Sequence, residues 1–270
     1  MTPILLAFAA FQAAAPASAN PDTIRFQACA ALARTAPERA VEAANAWLVE
    51  AGRIPARQCL GLAYVALGRW APAAAIYEQA ARDADSTQDP RRTDLWVQAG
   101  NSWLAAGESL RAIQAFDAAL ASPNLSDELR GEVHLDRART LVSMGNVPGA
   151  RADLDRGLEL VPSDPFAWYL SSALAQRESN LERARTDIAR ARELAPADPD
   201  IMLFAGTIAG LSGNGAEAES LYRQVAATAP DTDAGRAAAA ALATATEAPR
   251  PQPQAPAPAP APAPGPNQSR

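Results

Sequence analysis

The sequence has 270 residues, of which 49% are apolar and only 6% aromatic, with Ala the dominant apolar residue. Ala has the highest helix propensity, and β-branched residues nowhere alternate over the length of a strand, so the composition favours helices over a sheet. The formal net charge of −6 is too mild, and its signs are too evenly mixed, to indicate a nucleic-acid partner.

Residues 1–19 have the features of an export signal. The apolar run Ile4–Ala15 precedes the small residues Ala17–Ala19, which suit cleavage before Asn20. The run is shorter than the roughly 20 residues that a helix needs to cross a bilayer. Only the α-amino group of Met1 supplies positive charge before it, so an apolar N-terminal turn of a cytosolic protein stays open as the alternative. We predict a cleaved signal peptide at 1–19, no lipid anchor, no membrane span and a periplasmic or secreted protein.

The middle of the chain repeats with a period of 34 residues. Pro162, Pro196 and Pro230 are spaced at this interval, and three further columns recur in register with them. Those columns are Ala150, Ala184 and Ala218, then Gly157, Ala191 and Val225, and then Gly145, Ser179 and Gly213. Four independent columns that recur together indicate a true internal repeat.

Three earlier copies extend the register towards the N-terminus. Clear copies start near Ile54 and Thr93, and a degenerate copy starts near Pro21, so the copies number six. The second and third starts are 39 residues apart and the third and fourth are 38 apart, rather than 34. These intervals indicate insertions around 83–92 and 122–128.

Each copy contains two helical patterns of about 13 residues joined by a Gly-containing turn. Small residues recur where two antiparallel helices must approach closely, because only a missing or one-carbon side chain allows that contact. They are Gly61, Gly100, Gly206, Ala73, Ala112, Ala150, Ala184 and Ala218. Large residues such as Phe116 and Tyr222 are expected to fill the space alongside. The three prolines at the 34-residue interval end the second helices, and the predicted caps of the helices that follow are Asp164, Asp198 and Asp231.

This pattern resembles the tetratricopeptide repeat family over Pro21–Pro230. The copy that begins near Thr93 carries the residues of the family pattern at Trp96, Gly100, Trp103, Gly107, Ala112, Phe116 and Ala119. The copy near Gly131 departs from it, with His134, Ala138 and Leu141 where Trp, Gly and Tyr are usual. The resemblance implies an all-α fold, a right-handed α-solenoid of about six helical hairpins at 20–247, with 231–247 as a C-terminal capping helix.

The segment 248–270 is predicted to be a disordered Pro/Ala-rich tail. Nine of the 22 residues in Pro249–Arg270 are Pro, a composition that favours polyproline II and has little to bury. We interpret the segment as a spacer, with a role as a ligand for another protein as the alternative.

The residues do not form a catalytic constellation. His134 is the sole histidine, and one His with two Cys cannot supply a metal site of those ligands. Asp153 and Asp155 follow Arg151 on a helical pattern, and we interpret them as a solvated, salt-bridged face. We therefore predict no enzyme activity, no catalytic residues, no cofactor, no metal and no small-molecule substrate.

The resemblance implies the position of a partner-binding groove. In the family, the first helix of each hairpin lines a concave groove that takes a peptide or a partner helix. The corresponding residues here are Leu62, Val65, Val97, Asn101, Leu104, Leu135, Arg139, Val142, Tyr169, Ala173, Gln176, Arg177, Leu203 and Thr207. A mainly apolar groove of this kind is typical of helix or extended-peptide capture. The alternative is that its aliphatic side chains only pack between adjacent first helices.

The chaperone-binding members of the family hold a C-terminal carboxylate with Lys and Asn side chains. Asn101 matches an Asn column of that clamp, but the sequence has no Lys, so we do not predict the clamp. The predicted function is a non-catalytic protein-protein interaction scaffold in the bacterial cell envelope. The alternative is a noncatalytic accessory subunit of an envelope or cell-wall enzyme.

Cys29 and Cys59 lie on the first helices of the first and second copies. Adjacent first helices run side by side in this kind of stack, and the register places the two residues at similar heights. Two cysteines in an exported protein are more often paired than free, because the compartment is oxidising. We predict a Cys29–Cys59 disulfide, with two small buried thiols as the alternative.

Overall fold

In the computed structural model, the described residues are 20–50, 53–123 and 125–247, so the predicted signal peptide and the predicted tail lie outside them. These residues form thirteen α-helices and no strand. The helices are α1 (Pro21–Thr35), α2 (Pro37–Val49), α3 (Arg53–Ala66), α4 (Trp70–Thr87), α5 (Arg92–Ala105), α6 (Ser109–Leu120), α7 (Asp127–Ser143), α8 (Val147–Leu160), α9 (Pro165–Arg177), α10 (Leu181–Leu194), α11 (Pro199–Leu211), α12 (Gly215–Thr228) and α13 (Asp233–Glu247). The predicted all-α solenoid of helical hairpins is confirmed.

The helices pair in sequence order into six hairpins, α1 with α2 through α11 with α12, and α13 follows the last hairpin. The chain divides into one compact unit that ends at Pro196 and a second unit that begins at Ala197. In the first unit, which holds α1–α10, first helices of neighbouring hairpins touch, as α1 does α3 and α7 does α9. In the second unit, α13 packs against both α11 and α12.

Local sequence sets the helix boundaries. The second helices α8, α10 and α12 each end two residues before a proline of the 34-residue column. Asp164 accepts a hydrogen bond from the Phe166 N–H, and Asp198 accepts from the Ile201 N–H, so both predicted caps are present. The predicted cap at Asp231 is wrong. The hydroxyl of Thr232 accepts from the Gly235 N–H there, because α13 begins at Asp233.

Glycine on the first helix meets an aromatic ring on the second helix in three hairpins. A Cβ added to Gly61 would lie 2.5 Å from Tyr77 Cε1, and one added to Gly100 would lie 2.5 Å from Phe116 Cε1. The Ala columns on the second helices are completely buried at Ala73, Ala112, Ala150 and Ala184. The small residues therefore occupy the sites of closest helix approach, as the sequence predicts.

The two insertions lengthen helices as well as loops. Helix α4 has 18 residues, whereas the second helices α6, α8 and α10 have 12 to 14, and it ends at Gln88 in the left-handed conformation. Helix α7 has 17 residues, and the Ser126 hydroxyl caps it by accepting from the Leu129 N–H. The extra residues thus lie at the edge of the array where first helices begin.

Ion pairs connect successive hairpins of the first unit. Arg111 on α6 pairs with Glu78 on α4 at 3.2 Å, and Arg137 on α7 pairs with Asp117 on α6 at 2.6 Å. Each includes a side chain that is about half exposed, so each contributes at most about 1 kcal/mol. Their main effect is to favour one register between neighbouring hairpins, since like charges would meet if the hairpins slipped.

A disulfide joins Cys29 on α1 to Cys59 on α3, with the two Cα atoms 6.0 Å apart. Cys29 is 6% exposed and Cys59 is fully buried, and both pack against Ala44 and Leu60. The first hairpin, which matches the repeat pattern least, is covalently attached to its neighbour.

Candidate functional site

Helices α7 and α9, the first helices of the fourth and fifth hairpins, leave a cleft of about 260 Å³ between them. Its lining consists of Ala138, Arg139, Val142, Leu154, Tyr169, Leu170, Ala173, Leu174 and Arg177. The sequence analysis selected five of these residues. It missed the apolar floor formed by Leu154, Leu170 and Leu174, although Leu170 and Leu174 lie one position after Tyr169 and Ala173 on the same helix.

Two guanidinium groups lie at this cleft. Arg139 has a half-exposed side chain and donates a hydrogen bond of 3.1 Å to Asp136 Oδ1. Arg177 is the last residue of α9, is exposed, and has no hydrogen-bond or ion-pair partner among the residues that the structure describes. A cleft with an apolar floor therefore has cationic groups at its entrance.

Asn101 and Asp136 connect the cleft to the preceding hairpin. The side-chain amide of Asn101 on α5 donates a 2.8 Å hydrogen bond to Asp136 Oδ2 on α7. Because Asp136 also accepts from Arg139, one carboxylate orients side chains from two first helices. Asn101 is thus positioned by the protein itself, and its predicted role in contacting a partner stays a prediction.

Carboxylates follow the same face of α7 towards its first turn. Glu128, Glu132 and Asp136 are spaced four residues apart, so they lie in one stripe that continues to Arg139. Partial desolvation, followed by repulsion from Glu128, Asp136 and Asp164, raises the pKa of Glu132. The stripe is therefore acidic where α7 begins and cationic near its end.

The predicted groove position of Leu135 is wrong. Its side chain is only 4% exposed and packs inside its own hairpin. A Cβ added to Gly157 on α8 would lie 2.6 Å from Leu135 Cδ2, so the leucine occupies the space that the absent side chain leaves. The neighbouring Arg139 and Val142 take over the exposed face.

The remaining predicted groove residues are half-buried and pack mainly between helices. Leu62 contacts the cluster of Ala33, Ala40 and Ala63, and Val65 packs beside Tyr77. Val97 and Leu104 pack against the cluster that contains Trp103 and Phe116, and Gln176 is half-buried on α9. For the aliphatic residues, these contacts match the packing alternative.

Leu203 and Thr207 belong to the second unit, on α11. Thr207 donates a hydrogen bond to the Leu203 carbonyl at 3.2 Å and accepts one from the Tyr222 hydroxyl at 3.3 Å. These bonds fix the hydroxyl inside its own hairpin.

Asp153 does not lie on a solvated face, so that interpretation of the sequence is wrong. The residue is 4% exposed and accepts hydrogen bonds from Arg137 Nε at 2.7 Å and from His134 Nδ1 at 2.9 Å. Burial by itself would raise the pKa of Asp153, but the hydrogen bonds from Arg137 and His134 outweigh it and hold the pKa below the ordinary value. His134 therefore has a partner inside the hairpin.

The repeat pattern has an independent match. A family model described as Tetratricopeptide repeat matches residues 60–126, 135–199 and 172–233. This chain belongs to the tetratricopeptide repeat family. No curated protein matches the sequence significantly.

Solved tetratricopeptide repeat structures share the fold at low sequence identity. PilW, a widely conserved type IV pilus biogenesis factor, superposes with a TM-score of 0.68 at 19% identity, covering 81% of this chain and 99% of its own. PilF of Pseudomonas aeruginosa gives 0.62 at 16% identity, covering 82% of this chain and 100% of its own. YrrB, a TPR protein with an unusual peptide-binding site, gives 0.51 at 20% identity, covering 74% and 99%. At these identities the likeness shows the fold.

A second, larger cleft of about 650 Å³ lies where the two insertions of the tetratricopeptide array meet. It is lined by loop residues and by the first turns of α5 and α7, among them Pro90, Arg92 and Ser122. Thr93 donates a 2.9 Å hydrogen bond to the Ser122 hydroxyl at its base. Its lining is polar and lacks the continuous aliphatic floor of the cleft between α7 and α9, so we regard it as the competing site.

Two further features of the tetratricopeptide array concern the residues that the structure describes. No helix there combines the length and apolarity that crossing a membrane requires. Within the same residues, no three His, Cys, Asp or Glu side chains are grouped as metal ligands would be.

Proposed function

We propose that this tetratricopeptide repeat protein is a non-catalytic scaffold that binds a peptide segment of another protein, with the cleft between α7 and α9 as the anchor site. The observation that carries the proposal is an open apolar pocket beside a guanidinium group without a protein partner, on the helices that line the groove of this family. Proteins with this fold are generally interaction scaffolds, which agrees with such a role.

The size of the cleft supports a peptide over a small molecule. Small-molecule pockets usually measure about 300–1,000 Å³ and enclose most of their ligand. The 260 Å³ cleft lies below that range and opens onto the surface. It suits one apolar side chain of a longer ligand whose backbone remains outside.

We place the protein in the bacterial envelope because of the sequence of residues 1–19. Sequencing the N-terminus of the protein from its native host should give Asn20 as the first residue. An intact Met1 in the cytoplasmic fraction would contradict this placement. The alternative, an accessory subunit of an envelope or cell-wall enzyme, uses the same cleft and would be distinguished by an enzyme as the bound partner.

The binding proposal is tested with a random peptide library displayed on phage, selected on the full chain. Ala173→Arg fills the cleft with a long cationic side chain, and Ala189→Arg makes the same change at an exposed site on α10. We expect enriched peptides to bind the unsubstituted chain and Ala189→Arg, but not Ala173→Arg, with equal helix content in all three by circular dichroism. Equal binding to Ala173→Arg, or no enrichment at all, would contradict the proposal.

A further inference from the structure

The seam between α7 and α9 has a fixed order of charge and apolar surface. Glu128 and Glu132 come first on the α7 stripe, the apolar cleft follows, and Arg139 and Arg177 lie near the ends of the two helices. We infer that the cleft takes an apolar side chain flanked by opposite charges, with a carboxylate towards the arginines and a cationic side chain towards Glu132. This inference rests on the proposed function and specifies the chemistry of the bound segment.

The arginine end of the seam requires an anion. Arg177 has no partner in the described residues, and Arg139 shares Asp136 with Asn101. A guanidinium group presents several N–H donors in a plane, so one carboxylate can accept from more than one of them. The apolar residues Val142 and Ala173 beside these donors exclude water from one side, which strengthens such a pair compared with a fully exposed one.

The other end of the seam requires a cation. Neither Glu128 nor Glu132 has a hydrogen-bond or ion-pair partner in the part of the chain that the structure describes. Asp136 lies one turn further along the same stripe, so the carboxylates repel one another. A basic side chain placed over Glu132 would relieve that repulsion.

The helix geometry fixes the distance between the two charges of the ligand. Glu132 and Arg139 are seven residues apart, two helical turns, which corresponds to about 10 Å along the axis of α7. An extended chain covers about 3.3 Å per residue, so three residues span that distance. The best ligand therefore has a basic residue and an acidic residue three positions apart with one apolar residue between them.

The inference is tested by fluorescence titration of the full chain with defined peptides at low salt. The reference is acetyl-Gly-Arg-Gly-Leu-Glu-Gly-amide, and its relatives replace Arg, Glu or both by Gln, or place Arg or Glu at both positions. We expect the reference to bind tightest and each lost ion pair to weaken binding by about fivefold at most, the effect of an exposed pair. A peptide that ends at Leu tests whether a C-terminal carboxylate replaces the Glu side chain, with its amide as the control.

Charge-reversed variants separate recognition from folding. With Arg139→Glu and Arg177→Glu combined, we expect the peptide with Arg at both positions to bind more tightly than the reference. With Glu132→Arg, the peptide with Glu at both positions should become the tightest ligand. Arg185→Glu, an exposed site on α10, should leave the order of affinities unchanged.

The two proposals fail in different ways. If all the peptides bind equally and Ala173→Arg abolishes their binding, the cleft is a peptide site but the charge order is wrong. If Ala173→Arg has no effect on any peptide, the proposed function itself is wrong. An unchanged order of affinities in the charge-reversed variants would also overturn the inference.

Discussion

Gly206 on α11 faces the ring of Tyr222 on α12 so closely that a Cβ on the glycine would lie 2.7 Å from Cε1 of the tyrosine. The tyrosine hydroxyl donates to Thr207, so the ring is not free to withdraw. The contact repeats the relationship of Gly61 with Tyr77 in the second hairpin. Close approach of the two helices of a hairpin therefore depends on the absence of one methyl group.

Gly206→Ala should destabilise the protein by about 1–3 kcal/mol, the usual effect of overpacking a filled interior. Gly210→Ala on the same helix is the matched control, because a Cβ there would make an ordinary contact of 3.7 Å with Ala218. Alanine is the better helix former, so the control should be neutral or stabilise by up to about 1 kcal/mol. Urea denaturation followed by circular dichroism measures both. Equal effects of the two substitutions would show that the close contact is unimportant.

The sequence predicted these helix contacts because they depend on a 34-residue period and on side-chain size alone. Gly61, Gly100 and Gly206 recur in one column, and the aromatic rings recur sixteen residues later. Any hairpin with this pattern must bring the two columns together. The fold class and the hairpin order follow from the same period.

Contacts that depend on one particular neighbour were not predictable in this way. Leu135 was expected in the groove, but the missing side chain of Gly157 opens a space that it fills. Asp153 was interpreted as solvated because Arg151 precedes it in the sequence, whereas its partners are Arg137 and His134 on the other helix.

A signal for the buried aspartates was nevertheless present in the repeat register. Asp153 lies three residues after Ala150 and four before Gly157, and both of those positions belong to buried columns. Asp187 lies 34 residues later, is 4% exposed, and accepts a 2.6 Å hydrogen bond from Ser171. Helical spacing therefore places both aspartates on the inward face, where each needs a partner from the first helix.

Asp153→Asn should destabilise the protein by about 3 kcal/mol, because Arg137 and His134 lose a buried charged acceptor. Glu159→Gln on the same helix is the control, since its pair with Arg156 is exposed on both sides and should contribute less than about 1 kcal/mol. Denaturant titrations at pH 7 compare the two. A loss for Asp153→Asn no larger than that for Glu159→Gln would contradict the role of the buried pair.

The same aspartate predicts a dependence on pH. The folded pKa of Asp153 is lowered, so its contribution is complete above the ordinary carboxyl value of about 4 and is lost as the pH falls through the lower folded pKa. The stability difference between the unsubstituted chain and Asp153→Asn should therefore be constant from pH 7 to about pH 5 and shrink below about pH 4. A difference that grows as the pH falls would show that the sign is wrong.

Reduction of the disulfide should selectively weaken the first hairpin. Closing a loop of 30 residues stabilises a protein by roughly 3–4 kcal/mol on the chain-entropy model. The isolated protein, unfolded without reductant, should show no reactive thiol. Cys29→Ala combined with Cys59→Ala should accelerate proteolysis within α1 and α2 more than within α9 and α10. Two reactive thiols per chain in the unreduced protein would mean that the pairing does not form in the host.

The most direct test of the peptide-binding cleft is site-specific photo-crosslinking on the full chain. Gln176, which lies one turn after Ala173 on α9, is replaced by p-benzoylphenylalanine, and a second protein carries the same residue in place of the exposed Ala189 on α10. Each is irradiated with acetyl-Gly-Arg-Gly-Leu-Glu-Gly-amide and analysed by mass spectrometry. We predict a covalent adduct at position 176 that excess unlabelled peptide suppresses, and none at position 189. Equal adducts at both positions, or an adduct at position 189 alone, would contradict a binding site between α7 and α9.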